Sequence, residues 1–325
     1  MTVRKSPAIG DAFAAVDAFS APGEWLRCQL HCHTDCSDGE PTVDELVAHY
    51  DAAGCDVLAI TDHWLITRFE HPRMLCLPAS ELSSALSRAP FEAEVLALGI
   101  DELPEPREEF PTIEACAAWI AEHGGVAFLA HPHWSSLVAD DIVAAPSLAG
   151  LEVFNGGSEV HQGRGLSEVH WDMALQLGAS LTALATDDAH EAGSAHGSDS
   201  RLGWTMVKAA ARTREAVVEA LRAGAFYATT GPELLDVAPA DDGSVTVRCS
   251  PATAVALRSG AWDGGRVNAD PSVCDFRGEI LERDADGLIT AARFEQPAHW
   301  PWGRIDLWAA DGGRAWSNPL RLACA

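Results

Sequence analysis

Positive charge is scarce in this sequence. Lys plus Arg number 22 against 48 Asp plus Glu, a formal net charge of −26 at pH 7. A field of that sign repels polyanions, so long nucleic acids are not expected as partners, and a small anionic substrate is admitted only where bound cations reverse the sign locally. No run of about 18 consecutive apolar residues is present, so no membrane-spanning helix and no membrane partner is expected. The opening residues, with Pro7, Gly10, Asp11 and Asp17, lack the apolar run and cleavage signal of a secretory leader, and the expected location is cytoplasmic. No period of twenty to fifty residues recurs, and low-complexity tracts are missing. An even cysteine count is missing too, since there are nine. Cys28, Cys32 and Cys36 surround a histidine pair where a disulfide would distort the local site, so they read as reduced thiols rather than as a metal-ligating set.

What is present is a globular composition, 47% hydrophobic and 22% charged, long enough for a barrel plus a smaller unit. Residues 1–22 end on the breaker cluster Ala21-Pro22-Gly23 and read as an arm. From Trp25 onward, short apolar runs alternate with amphipathic stretches, which predicts βα units. Strands are expected at Leu26–Leu30, Val57–Ile60, Met74–Pro78, Glu94–Leu98, Val126–Ala130, Leu151–Phe154, Leu181–Ala185 and Gly203–Val207. Helices are expected after Thr42, over Thr112–His123 and Gly165–Leu177, and over Thr213–Ala223 with Gly224 closing it. After Thr230-Gly231-Pro232 the pattern turns to short alternating segments separated by turns such as Asp241-Asp242-Gly243, predicting an all-β unit over residues 232–325 behind a barrel over 23–231.

Chemistry-bearing residues cluster at the expected strand ends. In Leu30-His31-Cys32-His33, residues i and i+2 point to one side, and Asp38 follows in a Ser-Asp-Gly turn. Ligand-type side chains recur at Asp62-His63, at Glu81, at His131 and His133, and at Asp187, Asp188 and His190. The C-terminal strand ends of an α/β barrel share one mouth, so residues distant in sequence become neighbours there and together predict a metal cluster.

The stretches LHCHTDCSDG, LAITDHW, ASELS, LAHPHW, LEVFNGG and ATDDAH, spread over about residues 25–230, resemble the polymerase and histidinol phosphatase (PHP) superfamily of metal-dependent phosphoesterases. The resemblance implies a distorted (β/α)7 barrel, which makes one of the eight strands above an extension or edge piece. It also implies a trinuclear site. His31, His33, Glu81 and Asp188 would hold one metal, Glu81 would bridge to a second held by His131, and Asp38, His63 and His190 would hold a third. The family usually places a histidine where this chain has Glu94, and a carboxylate there would favour Mn²⁺ or Fe²⁺ over Zn²⁺ or weaken that site. Two or three divalent transition metals (Mn²⁺, Fe²⁺ or Zn²⁺) are therefore the expected cofactors. The stretches 226–232 and 314–320 resemble a two-domain subgroup with an appended β-sandwich.

Metal-activated water attacking phosphorus requires no protein nucleophile. His133, His161 and His196 are the candidates to protonate a leaving alkoxide, and Arg164 and Arg201 the candidates to clamp a phosphate. Asp62 and Asp187 read either as carboxylates that orient ligand imidazoles or as turn caps. Trp262, Trp300, Trp302, Trp308 and Trp316 read as core or interface aromatics, with a sugar-stacking face as the other possibility. The expected function is hydrolysis of a small phosphorylated metabolite. The alternatives are hydrolysis of a carboxylic ester, lactone or amide, and a non-catalytic module stabilised by metal.

Overall fold

The computed structural model of the chain describes residues 18–86, 92–194, 198–295, 297 and 302–322. It is mixed α/β. The strands of the first part are β1 Glu24–Gln29, β2 Val57–Leu58, β3 Leu75–Cys76, β4 Ala79–Ala85, β5 Glu92–Leu98, β6 Val126–Leu129, β7 Gly150–Asn155, β8 Thr182–Thr186, β9 Trp204–Ala209 and β10 Phe226–Thr229. Its helices are α1 Val43–Ala52, α2 Ile113–Glu122, α3 Ala139–Val143, α4 Gly156–Gln162, α5 Glu168–Gln176 and α6 Arg214–Ala223. The remainder is β11 Leu234–Pro239, β12 Val245–Ala252, β13 Ala254–Arg258, β14 Gly264–Asn268, β15 Gly278–Arg283, β16 Ile289–Phe294, β17 Trp302–Trp308, β18 Arg314–Ser317 and β19 Leu320–Arg321. Among the described residues, no helix is long and apolar enough to cross a membrane.

Strand pairing passes through seven strands and returns to its start. β1 pairs with β2 in parallel. The chain just beyond β2 bridges to β4 through His63 and Glu81. β4, β5 and β6 are successively antiparallel, and β6, β7 and β8 are parallel. The chain beyond β8 then bridges back to the chain beyond β1 through Ala189 and Cys32. The parallel strands are near-continuous apolar runs buried on both faces, as Val126–Leu129 and Leu151–Phe154 illustrate. Helix starts follow the expected chemistry. Thr42 accepts from the Glu45 N–H and Glu45 reaches back to the Thr42 N–H, while Thr112 and Thr213 cap α2 and α6 by accepting from the Ala115 and Ala216 N–H.

Two features differ from the sequence reading. Met74–Pro78 shrinks to the two-residue β3, and the substantial strand is β4. The β4 sequence, Ala-Ser-Glu-Leu-Ser-Ser-Ala, has no apolar run, yet its first four residues are buried because Ser80 donates to the Asp62 carbonyl and Glu81 turns into the polar site. The all-β unit after residue 232 also shares one of its sheets with the first part. β11, β12, β16 and β15 make a four-stranded sheet, while β13, β14, β17, β18 and β19 extend the sheet of β1, β2, β3, β9 and β10 to ten strands through the β10–β18 pairing.

Among the described residues, Trp262, Trp302, Trp308 and Trp316 form no common stacking face. Trp302 and Trp316 are fully buried, Trp262 is 71% exposed, and Arg266 and Arg314 lie against the Trp308 ring. Trp300 lies outside the described residues, as do Phe13 and Val16 of the arm, of which Phe19 packs on Trp25 and Tyr227. Eight cysteines, including Cys28, Cys32 and Cys36, are free thiols.

Candidate metal centre

Two i, i+2 pairs meet where β1 and β8 run out. Beyond those strands the backbones stay paired, Asp188 N–H donating to the His31 carbonyl at 2.9 Å and His33 N–H to the Ala189 carbonyl at 2.9 Å. The register sets His31 and His33 against Asp188 and His190. The buried amide of Gln29 holds it, its Oε1 accepting from Leu30, His31 and Asp187 N–H. Asp188 has φ 53° and His131 has φ 28°, left-handed conformations that β-carbon sterics disfavour and that occur here at two donor positions.

Four side chains converge on one point. The Nε2 atoms of His31 and His33 are 3.2 Å apart. Glu81 Oε2 lies 3.1 and 3.2 Å from them, and Asp188 Oδ1 lies 3.0 and 3.3 Å from them. These spacings match adjacent vertices of one coordination shell with bonds of about 2.0–2.2 Å. The other Glu81 oxygen, Oε1, lies 3.3 Å from His131 Nε2, and Glu94 Oε2 lies 3.4 Å from the same nitrogen. Glu94 thus points from β5 into the donor cluster and not into solvent or the helix layer.

A third set gathers around Asp38, whose Oδ2 is 3.4 Å from both His63 Nε2 and His190 Nε2. His33 Nδ1 approaches Asp38 Oδ1 at 3.5 Å, so His33 faces two sets. A neutral imidazole has one lone pair and can serve one of them. His63 has the same choice, since its Nδ1 lies 3.5 Å from Glu81 and 3.6 Å from Glu94.

The donor chemistry and two buried orphans fit divalent metal. Neither His33 Nδ1 nor Glu81 Oε1 has a hydrogen-bond partner although both are buried, and such atoms are costly unless something binds them. Electrostatics agree. Burial alone would lower the buried imidazoles, but the Asp188, Glu81 and Glu152 carboxylates outweigh it for His31, which sits well above its ordinary value. Against the same burial, hydrogen bonds to Asp188 and Glu81 bring His33 to about 10, and Glu81 and Asp188 bring His131 to about 9. Burial pushes Glu81 and Asp188 upward, yet the surrounding imidazoles hold both well below the usual carboxylate range. The negative charge of Glu81, then burial, raises Glu94 to about 8. Four carboxylates this close call for added positive charge, supplied here by protons and equally by metal ions.

Sequence reasoning missed the support of this cluster. Glu152 on β7 is fully buried. Its Oε1 accepts from His31 Nδ1 at 2.8 Å, which turns the other ring nitrogen toward the cluster. Its Oε2 accepts from His131 N–H and from Asn155 Nδ2, both at 2.7 Å. The available signal was a charged residue inside the apolar run Leu151-Glu152-Val153-Phe154, a placement that requires a buried partner. Asp199, 1% exposed, accepts from His190 and Glu191 N–H and fixes the His190 backbone. Asp62 and Asp187 hold turns and orient no imidazole. Asp62 accepts from Thr34, Ser37 and Thr67, and Asp187 from Tyr50 and the N–H groups of residues 201–203.

A cleft of about 310 Å³ opens over the donors, and of the proposed proton donors it is lined by His161. His133 is not among its lining residues. The His133 Nδ1 donates to the Leu166 carbonyl, and the ring packs by His170. His196 lies outside the described residues. Neither arginine lines the cleft. Arg201 is turned to the far side of the loop, donating to the His49 carbonyl at 2.6 Å, and Arg164 is exposed on the loop after α4.

No known protein family matches the chain, and no curated protein does. Among solved structures, a two-domain protein from Bacteroides vulgatus containing a predicted PHP-like metal-dependent phosphoesterase is similar at 18% identity, over 92% of this chain and 96% of that one, with a TM-score of 0.48. An amidohydrolase from Chromobacterium violaceum with bound sulfate and no metal is similar at 17% identity, over 50% and 87%, with a TM-score of 0.39. A candidate metal-dependent phosphoesterase from Bifidobacterium adolescentis is similar at 17% identity, over 53% and 90%, with a TM-score of 0.40. The chain resembles these proteins in structure at low sequence identity.

Proposed function

We propose that this chain is a metal-dependent hydrolase that cleaves small phosphoric esters with activated water. The observation that carries the proposal is Glu81, a buried carboxylate whose two oxygens face two different imidazole sets. In this reading the seven-strand ring is the distorted (β/α)7 barrel, with residues 23–231 as the hydrolase unit and 232–325 as the β unit. His31, His33, Glu81 and Asp188 would hold one ion. His131, Glu94 and Glu81 would hold a second, and Asp38, His63 and His190 a third. Divalent ions bound there supply Lewis acidity, lowering the pKa of water and neutralising the oxygens of the group under attack.

The chain's own residues set the geometry. Glu152 fixes the His31 ring, Asp199 fixes the His190 backbone, and Asp62 fixes the turn that carries Asp38. His161, exposed on α4 and lining the cleft, is the residue we assign to protonating the leaving alkoxide. The substrate is a small anion, since the cleft has room for little more than one ring and a phosphoryl group.

One observation favours a second reading, hydrolysis of an ester, lactone or amide. No Lys or Arg is among the described residues lining the cleft, so no protein cation clamps a phosphate there. Assay of the Mn²⁺-loaded chain on matched panels of phosphate monoesters and diesters, carboxylic esters, lactones and amides separates the two. Metal-dependent turnover confined to phosphates is the expected result. Turnover confined to the carbonyl substrates would replace the first reading by the second.

A further inference from the structure

The cleft is not lined by metal donors alone. Trp134 and the α4 residues Gly157, Ser158, His161 and Gln162 also line it. Trp134 follows His131 in a tight turn closed by Ser135 N–H to the His131 carbonyl and Leu137 N–H to the Pro132 carbonyl, so its backbone is fixed. Its indole packs T-shaped against the His131 ring, with centroids 5.0 Å apart, which places it beside the donor cluster. Yet the residue is 42% exposed. An indole placed beside the donor cluster and left part-covered gains by burial when a flat apolar surface covers it.

Charge limits what that surface can carry. Apart from the carboxylates assigned to metal, the lining holds, among the described residues, no Lys or Arg. A second phosphate or carboxylate on the leaving group would therefore meet no Lys or Arg, and the imidazole of His161 is already assigned to the leaving oxygen. Beside His161, the α4 lining offers neutral polar groups, the Ser158 hydroxyl and the Gln162 amide.

We propose that the substrate's leaving group is an uncharged, ring-bearing alcohol whose flat face packs on Trp134. This rests on the phosphoesterase reading and narrows it to monoesters with a single anionic group.

The test measures binding as well as turnover. Benzylphosphonate, n-propylphosphonate and 4-carboxybenzylphosphonate are titrated calorimetrically into Mn²⁺-loaded wild type, Trp134→Ala and Trp134→Phe, with metal content checked in each. Hydrolysis of benzyl and n-propyl phosphate is followed in parallel. Wild type is expected to bind the benzyl compound about tenfold tighter than the propyl compound. That ratio is expected to fall to about twofold in Trp134→Ala and to persist in Trp134→Phe, and the carboxybenzyl compound is expected to bind about tenfold more weakly than the benzyl one. A ratio untouched by Trp134→Ala, a carboxybenzyl compound bound as tightly as the benzyl one, or no phosphonate binding at all would overturn the inference. Absence of ester hydrolysis counts against the phosphoesterase reading alone, because the phosphonate ratio still decides the role of Trp134.

Discussion

Glu152 touches His31 from the side opposite the donor cluster, its Oε1 2.8 Å from Nδ1, and both side chains are wholly buried. The contact fixes which nitrogen of His31 is free, and the anionic charge makes that nitrogen a stronger donor. Because the second Glu152 oxygen also takes the His131 N–H, one carboxylate fixes the His31 ring and the His131 backbone, which lie beyond different strands.

Glu152→Gln keeps the shape and removes the charge. Metal affinity is expected to fall by about 10 to 100-fold, the usual cost of losing a residue that supports a ligand. Titration of metal-free protein with Mn²⁺ or Zn²⁺ measures it, and an unchanged affinity would remove Glu152 from the metal argument.

Glu81→Ala and Asp62→Ala should part company. Losing Glu81 removes a donor from two sets at once, so metal content falls and activity drops by more than that 10 to 100-fold range. Asp62→Ala leaves the imidazoles in place and strips the Thr34, Ser37 and Thr67 hydroxyls of their acceptor. Its expected effect is a loss of about 1–3 kcal/mol of stability with weakened metal binding confined to the Asp38 set. Equal metal loss in both variants would contradict the bridging role.

Glu94→His exchanges a hard anionic oxygen for a neutral imidazole beside His131. Preference is expected to move from Mn²⁺ toward Zn²⁺, read as the ratio of the two affinities. Unchanged affinities and stoichiometry would mean that the carboxylate at 3.4 Å from His131 is a bystander.

The pH dependence has a defined sign. In metal-free protein His33, His131 and Glu94 have values of about 10, 9 and 8, all above those of the unfolded chain, so each stabilises the fold while protonated. That contribution is complete at low pH and is lost as pH rises through 8 to 10. Metal-free protein should therefore lose thermal stability between pH 7 and pH 10. Metal binding needs the deprotonated forms, so uptake at pH 7 should release protons and tighten over the same interval. Calorimetry in buffers of different ionisation enthalpy detects the release, and uptake without protons would contradict the assigned charge states.

Much of the site was legible in the sequence, and the reasons for the rest are physical. His31 with His33 and Asp188 with His190 obey the two-residue period of extended chain, so their convergence needed only neighbouring strands. Glu81 was identified, but its strand was not, because Ser80 and Ser84 break the apolar pattern by which strands are recognised. Glu152 and Asp199 act through contacts across the fold, which no local spacing encodes. Arg201 and His133 were misplaced because strand ends predict where a backbone arrives and not where a long side chain turns. One goes to the His49 carbonyl and the other to the Leu166 carbonyl. The sheet that continues from β10 into β18 was hidden for a similar reason, its partners lying some ninety residues apart.

Metal stoichiometry tests the account at its centre. Protein purified without chelators, or stripped and reloaded with Mn²⁺, is assayed by elemental analysis against chain concentration. The account predicts at least two transition-metal ions per chain, with a third where the Asp38, His63 and His190 set fills. A chain that emerges metal-free and then takes up neither Mn²⁺ nor Zn²⁺ would contradict it.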